Sequence, residues 1–236
     1  IHKSWKKLNK KIKKKIYLIA NYKLIFQQFK KLNIKTKIVT VNNIDDCANI
    51  DNLKIINIPL KFKNPFNVDT NLSSKYVLQS LDLAHKLAVS KKIKGFVNCP
   101  INKKLISSVK KIGVTELLAS KCQIKDHSEV MMIYNKKLSV VPLTTHIKIK
   151  NISKKIKVDL IVRKISTLNK YYKKIFKKRP KIGILGLNPH NSELSKNSEE
   201  YLRIIPAITI LKKKYFKIDG PLVADTIFIN DYKKYD

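Results

Sequence analysis

A chain of 236 residues with 44% hydrophobic residues can bury one large core or two small ones and is not a disordered polymer. Its formal net charge of +35 points first to nucleic acid or an anionic surface, but only Arg163, Arg179 and Arg203 are arginines. No apolar run approaches the roughly 20 residues of a membrane span. Cys47, Cys99 and Cys122 are too far apart for a CxxC-type metal motif, and their odd number argues against a disulfide framework.

A basic nucleic-acid-binding protein is therefore the reading from a rival class. It is disfavoured because lysine lacks the bidentate fork of arginine that reads phosphate and guanine. The lysines also spread along the whole chain, mostly at polar helix positions, and Ile and Asn are abundant. That composition is what drift in an AT-rich genome produces. The expected compartment is a reducing cytoplasm, with no membrane partner.

In chain order, apolar residues at helical spacing (Ile1, Trp5, Leu8, Ile12) predict an amphipathic helix over 1–13. A strand over 15–20, a helix over 22–32 and a second strand over 36–41 follow. Residues 42–52 read as a polar loop, 53–58 as a third strand and 59–71 as loop. A long helix is expected over 73–91 and a buried strand over 95–98, then short helices over 102–109 and 115–122. Val130–Tyr134 and Leu138–Leu143 read as a hairpin. A helix over 152–176, a strand over 181–187 and a helix over 198–213, kinked at Pro206, come next. Strands over 215–218 and 226–229 complete the pattern.

Alternating strands and helices predict an α/β fold with a largely parallel sheet. The hairpin interrupts that alternation, which suggests two lobes with an internal boundary near 113–150. The chain begins at Ile1 and stops just after an apolar run, so residues 1–236 read as one catalytic region of a longer chain.

Two polar runs follow apolar strands: Thr144-Thr145-His146 and Gly186-Leu187-Asn188-Pro189-His190. Ligands of open α/β sheets bind beyond the carboxyl ends of strands. Imidazoles placed there are candidate ligands of a divalent metal such as Zn, Mg or Co. Glu193, three residues past His190, is either a hydrogen-bond acceptor for an imidazole or a solvated carboxylate. Asp225 is a loop carboxylate that serves the site or caps a turn, and Asn188 stands within the second polar run. Lys103 follows Cys99-Pro100-Ile101-Asn102 at the start of a helix, an arrangement that suits an anion or simply initiates the helix. Thr115, after Gly113-Val114, is an N-cap or a substrate contact. No GxGxxG or Walker loop occurs among the five glycines, and no GxSxG supports covalent hydrolysis.

Taken together, these runs resemble the 4-hydroxythreonine-4-phosphate dehydrogenase family of pyridoxal phosphate synthesis. The matching pieces are Pro100-Ile101-Asn102-Lys103, Gly113-Val114-Thr115-Glu116, Val130-Met131-Met132, Thr144-Thr145-His146-Ile147, Gly186-Leu187-Asn188-Pro189-His190, Glu199-Glu200, Ile205-Pro206-Ala207, and Gly220-Pro221 with Ala224-Asp225-Thr226. The resemblance implies an isocitrate/isopropylmalate dehydrogenase-like fold, two lobes with an active-site cleft between them, and a homodimer sharing that site. It implies NAD-dependent oxidation of 4-phosphooxy-L-threonine, then decarboxylation to 3-amino-2-oxopropyl phosphate, assisted by a divalent metal. The family's first two metal histidines fall on His146 and His190. Its third lies in a Tyr-His-Asp segment that would follow Asp236. The family's substrate-binding His-Thr pair falls on Val114 and Thr115, and valine cannot hydrogen-bond. Relatives of the family act instead on four-carbon sugar-acid phosphates, threonate or erythronate 4-phosphate, and these are the alternative substrates.

Overall fold

The computed structural model describes residues 1–44, 52–102, 104–106, 113–124, 127–214, 216–229 and 231–236. The chain divides into two compact units, Ile1–Leu118 and Ala119–Asp236.

The first unit opens with two short helices, α1 (His2–Lys7) and α2 (Lys10–Lys13), rather than the single helix expected over 1–13. The break lies at Leu8-Asn9, where the Asn9 side chain accepts from Ile12 N at 2.9 Å and caps α2. Strand β1 (Tyr17–Ala20), helix α3 (Tyr22–Lys31) and strands β2 (Ile38–Val41) and β3 (Leu53–Asn57) form a parallel sheet in the order β1-β3-β2. Asn21 caps α3 through Leu24 N. The core collects Trp5, Ala20, Ile25, Phe29, Leu53 and Ile55, from α1, α3 and the sheet. Lys54 of the central strand is fully buried. Its Nζ donates to the carbonyls of Lys13 and Lys14 at 3.2 and 2.7 Å and lies 4.8 Å above the Tyr17 ring.

Helix α4 (Thr70–Val89) starts where the Asp69 carboxylate accepts from Asn71 N and Leu72 N, at 2.9 and 3.1 Å. The strand expected over 95–98 does not form. Val97 is 99% exposed, and the segment joins neither edge of the three-strand ladder. Of the helix expected over 102–109, residues 104–106 form a single 3₁₀ turn, and the rest lies largely outside the described residues. Helix α5 (Val114–Lys121) carries the division between the units.

In the second unit the expected hairpin is a minimal one, β4 (Ile133–Tyr134) against β5 (Ser139–Val140), antiparallel. The helix expected over 152–176 is two: α6 (Ile152–Lys155) and α7 (Val158–Phe176), separated by extended backbone at Ile156 and Lys157. Strands β6 (Lys181–Leu185) and β7 (Lys217–Leu222) pair in parallel. Between them the chain makes a π-helical turn at Glu200–Ile204 and then α8 (Ile205–Lys213). Pro206 sits near the start of α8, directly after the π turn, and the backbone is helical on both sides of that junction. The strand expected over 226–229 is instead a turn, with Ile227 N donating to Val223 O and Ile229 N to Thr226 O. Residues of α7, the π turn, α8 and β7 form the core: Ile161, Ile165, Ile204, Ala207, Ile208, Leu211 and Ile218. Among the described residues no helix is long and apolar enough to cross a membrane.

Candidate active site

Strand β6 ends at Leu185, and Gly186 begins the loop that carries His190. Gly186 N donates to Leu222 O at 2.9 Å, which ties the loop to the end of the neighbouring strand. A Cβ at position 186 would lie 1.9 Å from Asn191 Oδ1, so any other residue there forces Asn191 to move. Gly220 has a second reason to be glycine: its φ is +138°, and a Cβ there would meet Ile184 O at 2.4 Å.

Past Pro189 the backbone is unusual. His190, Asn191, Ser192, Glu193 and Leu194 all have φ between 47° and 58°. Left-handed backbone costs roughly 1–2 kcal/mol per non-glycine residue. Such a run persists only where its surroundings over-determine it, and these runs concentrate at functional sites. One restraint is visible: Asn191 is buried and its Nδ2 donates to Pro221 O at 3.1 Å.

The geometry turns His190 outward. Its imidazole is 75% exposed, and Nε2 lies 3.5 Å from Asp225 Oδ2, itself half exposed. The carboxylate that faces His190 is therefore Asp225, from the turn after β7. Glu193 is exposed on the left-handed run. His146 is also exposed at a left-handed position, with φ 55°, just past Thr144-Thr145. Among the described residues no group of three His, Cys, Asp or Glu side chains gathers as a closed metal cage.

Behind the loop lies a cluster of acidic and amide groups. One oxygen of Glu200 accepts from Leu187 N at 2.7 Å and from Asn188 N at 2.8 Å. Asn188 Nδ2 donates to the other Glu200 oxygen at 3.1 Å and to Glu199 Oε2 at 3.0 Å. Glu199 also accepts from Ser153 Oγ, and Arg203 donates to the carbonyls of Ser153 and Ile156. Burial pushes the Glu200 carboxyl up, but the hydrogen bonds from Asn188 and Leu187 outweigh it and leave it below the usual carboxylate value. Glu199 is lowered by the hydrogen bonds from Ser153 and Asn188. Asn188, a candidate site residue by sequence, is thus turned inward onto two carboxylates.

Val114 and Thr115 open α5 in the first unit, half-buried and exposed respectively. Lys103 lies outside the described residues. An apolar cavity of about 490 Å³ in the second unit is lined by Ile161, Ile165, Ile184 and Leu222 and reaches Thr144 and Leu187. None of His146, His190 and Asp225 lines it. Lys164 stands in its wall, donating from Nζ to Glu129 O at 2.6 Å, with its pKa lowered by burial.

Parallel strands with histidine and carboxylate side chains on the loops at their carboxyl ends define an α/β enzyme of the open-sheet kind. The family model of "Pyridoxal phosphate biosynthetic protein PdxA" matches residues 11–236. The 4-hydroxythreonine-4-phosphate dehydrogenase of Aquifex aeolicus is 33% identical over 234 residues, 95% of this chain and 70% of its own length. The D-threonate 4-phosphate dehydrogenase of Pectobacterium atrosepticum is 28% identical over 169 residues, 67% of this chain and 51% of its own. A crystal structure of a 4-hydroxythreonine-4-phosphate dehydrogenase from Burkholderia phymatum superposes with a TM-score of 0.82 at 27% identity, covering 99% of this chain and 72% of that one. The chain belongs to the PdxA family, and it is a dehydrogenase of pyridoxal phosphate biosynthesis.

Proposed function

We propose that the chain oxidises 4-hydroxythreonine 4-phosphate with NAD, at a site where His146 and His190 contribute ligands to a divalent ion. The observation that carries this reading is the exposed His190 imidazole at the end of β6, with the Asp225 carboxylate 3.5 Å away, in a chain matched to the family over residues 11–236. Imidazole nitrogen and carboxylate oxygen 3.5 Å apart can address one ion together, and that donor set suits Zn or Co better than Mg. With no third such group joining them among the described residues, they supply part of a coordination sphere.

When bound, a divalent ion supplies Lewis acidity to a substrate hydroxyl and then to the ketone, and NAD supplies the hydride acceptor. The chain's own contribution is placement. Asp225 stands beside the His190 ring as a second donor, and the left-handed run leaves the ring exposed. The net charge of +35 draws in a phosphorylated carboxylate. The isocitrate dehydrogenase-like two-lobed fold, a homodimer with a shared site and a cytoplasmic location complete this reading.

A second reading, oxidation of D-threonate 4-phosphate, is favoured by Val114. That residue stands in the first turn of α5, where the resemblance places a histidine that binds substrate, and valine removes that contact.

The test is NADH formation by the full-length protein with each phosphate, with and without chelator. Turnover of 4-hydroxythreonine 4-phosphate is expected, abolished by chelator and by His146→Ala or His190→Ala. Asp225→Asn should lower it by about 10–100-fold. Turnover that ignores chelator and both histidine substitutions refutes the metal reading. Turnover of D-threonate 4-phosphate alone transfers the mechanism to the second substrate.

A further inference from the structure

We propose that Glu200 is the positioning residue of the site: its buried carboxylate sets the direction in which the loop delivers His190. The inference rests on the reading of His190 as a metal ligand.

Glu200 is fully buried, with 0% exposure. An ionised carboxylate taken out of water is costly unless its oxygens are hydrogen-bonded. The chain has 51 lysines and arginines, yet no cation forms an ion pair with Glu200 among the described residues. Its partners are instead two successive backbone N–H groups and one amide, all on Leu187 and Asn188. Those are the last residues before Pro189-His190. One oxygen that accepts from both N–H groups fixes the peptide between them, and the rigid φ of Pro189 passes that orientation to His190.

The arrangement coincides with an unusual helix start. Side chains at consecutive helix positions point about 100° apart, yet Asn188 Nδ2 reaches both Glu199 and Glu200. The chain winds as a π turn from Glu200 to Ile204, with Ile205 N–H returning to Glu200 O. Such turns occur frequently at functional sites.

Glu200→Gln tests the idea with little change of shape. One oxygen survives to accept from the two N–H groups, but an amide NH₂ then faces the NH₂ of Asn188. Asn188 cannot relieve this by turning over, because its oxygen would then face Glu199. Two readouts on the full-length protein are needed. The first is Co²⁺ affinity, followed by visible absorption under conditions where both proteins are folded. The second is amide exchange of Leu187 and Asn188 in the metal-free state, by NMR. We expect E200Q to weaken Co²⁺ binding by about 10–100-fold and to speed exchange at both amides. His190→Ala should abolish Co²⁺ binding and leave both amides protected. Unchanged Co²⁺ affinity in folded E200Q, even with lowered stability, overturns the proposal. If E200Q does not fold, wild-type exchange decides, because unprotected Leu187 and Asn188 amides would show that Glu200 does not hold the loop. If the wild type binds no Co²⁺, or His190→Ala leaves binding intact, the metal reading fails separately, while exchange still reports on Glu200.

Discussion

Replacing Gly186 by alanine is the smallest change that should disturb the loop. The added Cβ would sit 1.9 Å from Asn191 Oδ1, 3.0 Å from Asn191 Cγ and 3.3 Å from Glu200 Oε1. Backbone preference is not at issue, since Gly220 is the only glycine with positive φ. The overlap is relieved only if Asn191 moves, and Asn191 is buried and holds Pro221 O through Nδ2. Breaking that bond leaves the buried Asn191 amide unpaired, which costs about 1–3 kcal/mol. Crowding a packed site adds about 1–3 kcal/mol more. Gly186→Ala should therefore lower unfolding free energy by about 2–6 kcal/mol, the sum of those two effects, read as the midpoint of urea unfolding. Asn191→Ala removes the group that the new methyl strikes. The double variant should consequently be more stable than the sum of the single losses predicts, by about 1 kcal/mol or more. Strict additivity, or a Gly186→Ala protein as stable as the wild type, would show that the close approach of Gly186 and Asn191 does not constrain the loop.

Lys54→Met removes both hydrogen bonds to the last carbonyls of α2 and should destabilise the chain by about 1–3 kcal/mol in urea unfolding; an unchanged midpoint would mean that water replaces the ammonium without loss. Glu199 and Glu200 both have carboxyls held below their ordinary value of 4.5. The unfolded state therefore takes up protons first as pH falls, so their stabilisation is complete above about 4.5 and is lost as pH drops through the lowered native values. The acid limb of stability against pH should flatten in a Glu199→Gln, Glu200→Gln protein relative to wild type, and an identical slope would contradict the assignment.

Much of the fold could be read locally. The strands at 17–20, 38–41 and 53–57 and the helix at 22–31 follow from apolar periodicity, and the helix expected over 73–91 forms over 70–89, its start moved forward by the Asp69 cap. The failures share a cause. Apolar character predicts a buried strand at 95–98 and an extended one at 226–229. Neither found a neighbouring strand, and a strand exists only in its pairing. The helices expected over 1–13 and 152–176 break at Leu8-Asn9 and Ile156-Lys157, since helical periodicity continues across a short extended break.

The family, the α/β alternation and the two histidine-bearing loops are legible along the chain, because each is written in residues close together. Which groups those loops meet depends on contacts between segments far apart in the chain. Asp225, 35 residues from His190, lies 3.5 Å from it, while Glu193, three residues away, is turned to solvent by left-handed backbone. Glu199 and Glu200 were visible as a family match, but nothing local announced that the second is fully buried and grips Leu187 and Asn188. Hydrogen bonds between distant segments depend on how α8 and the turn before it pack beside β6 and β7. Packing of that kind is a property of the assembled core and not of any window of sequence.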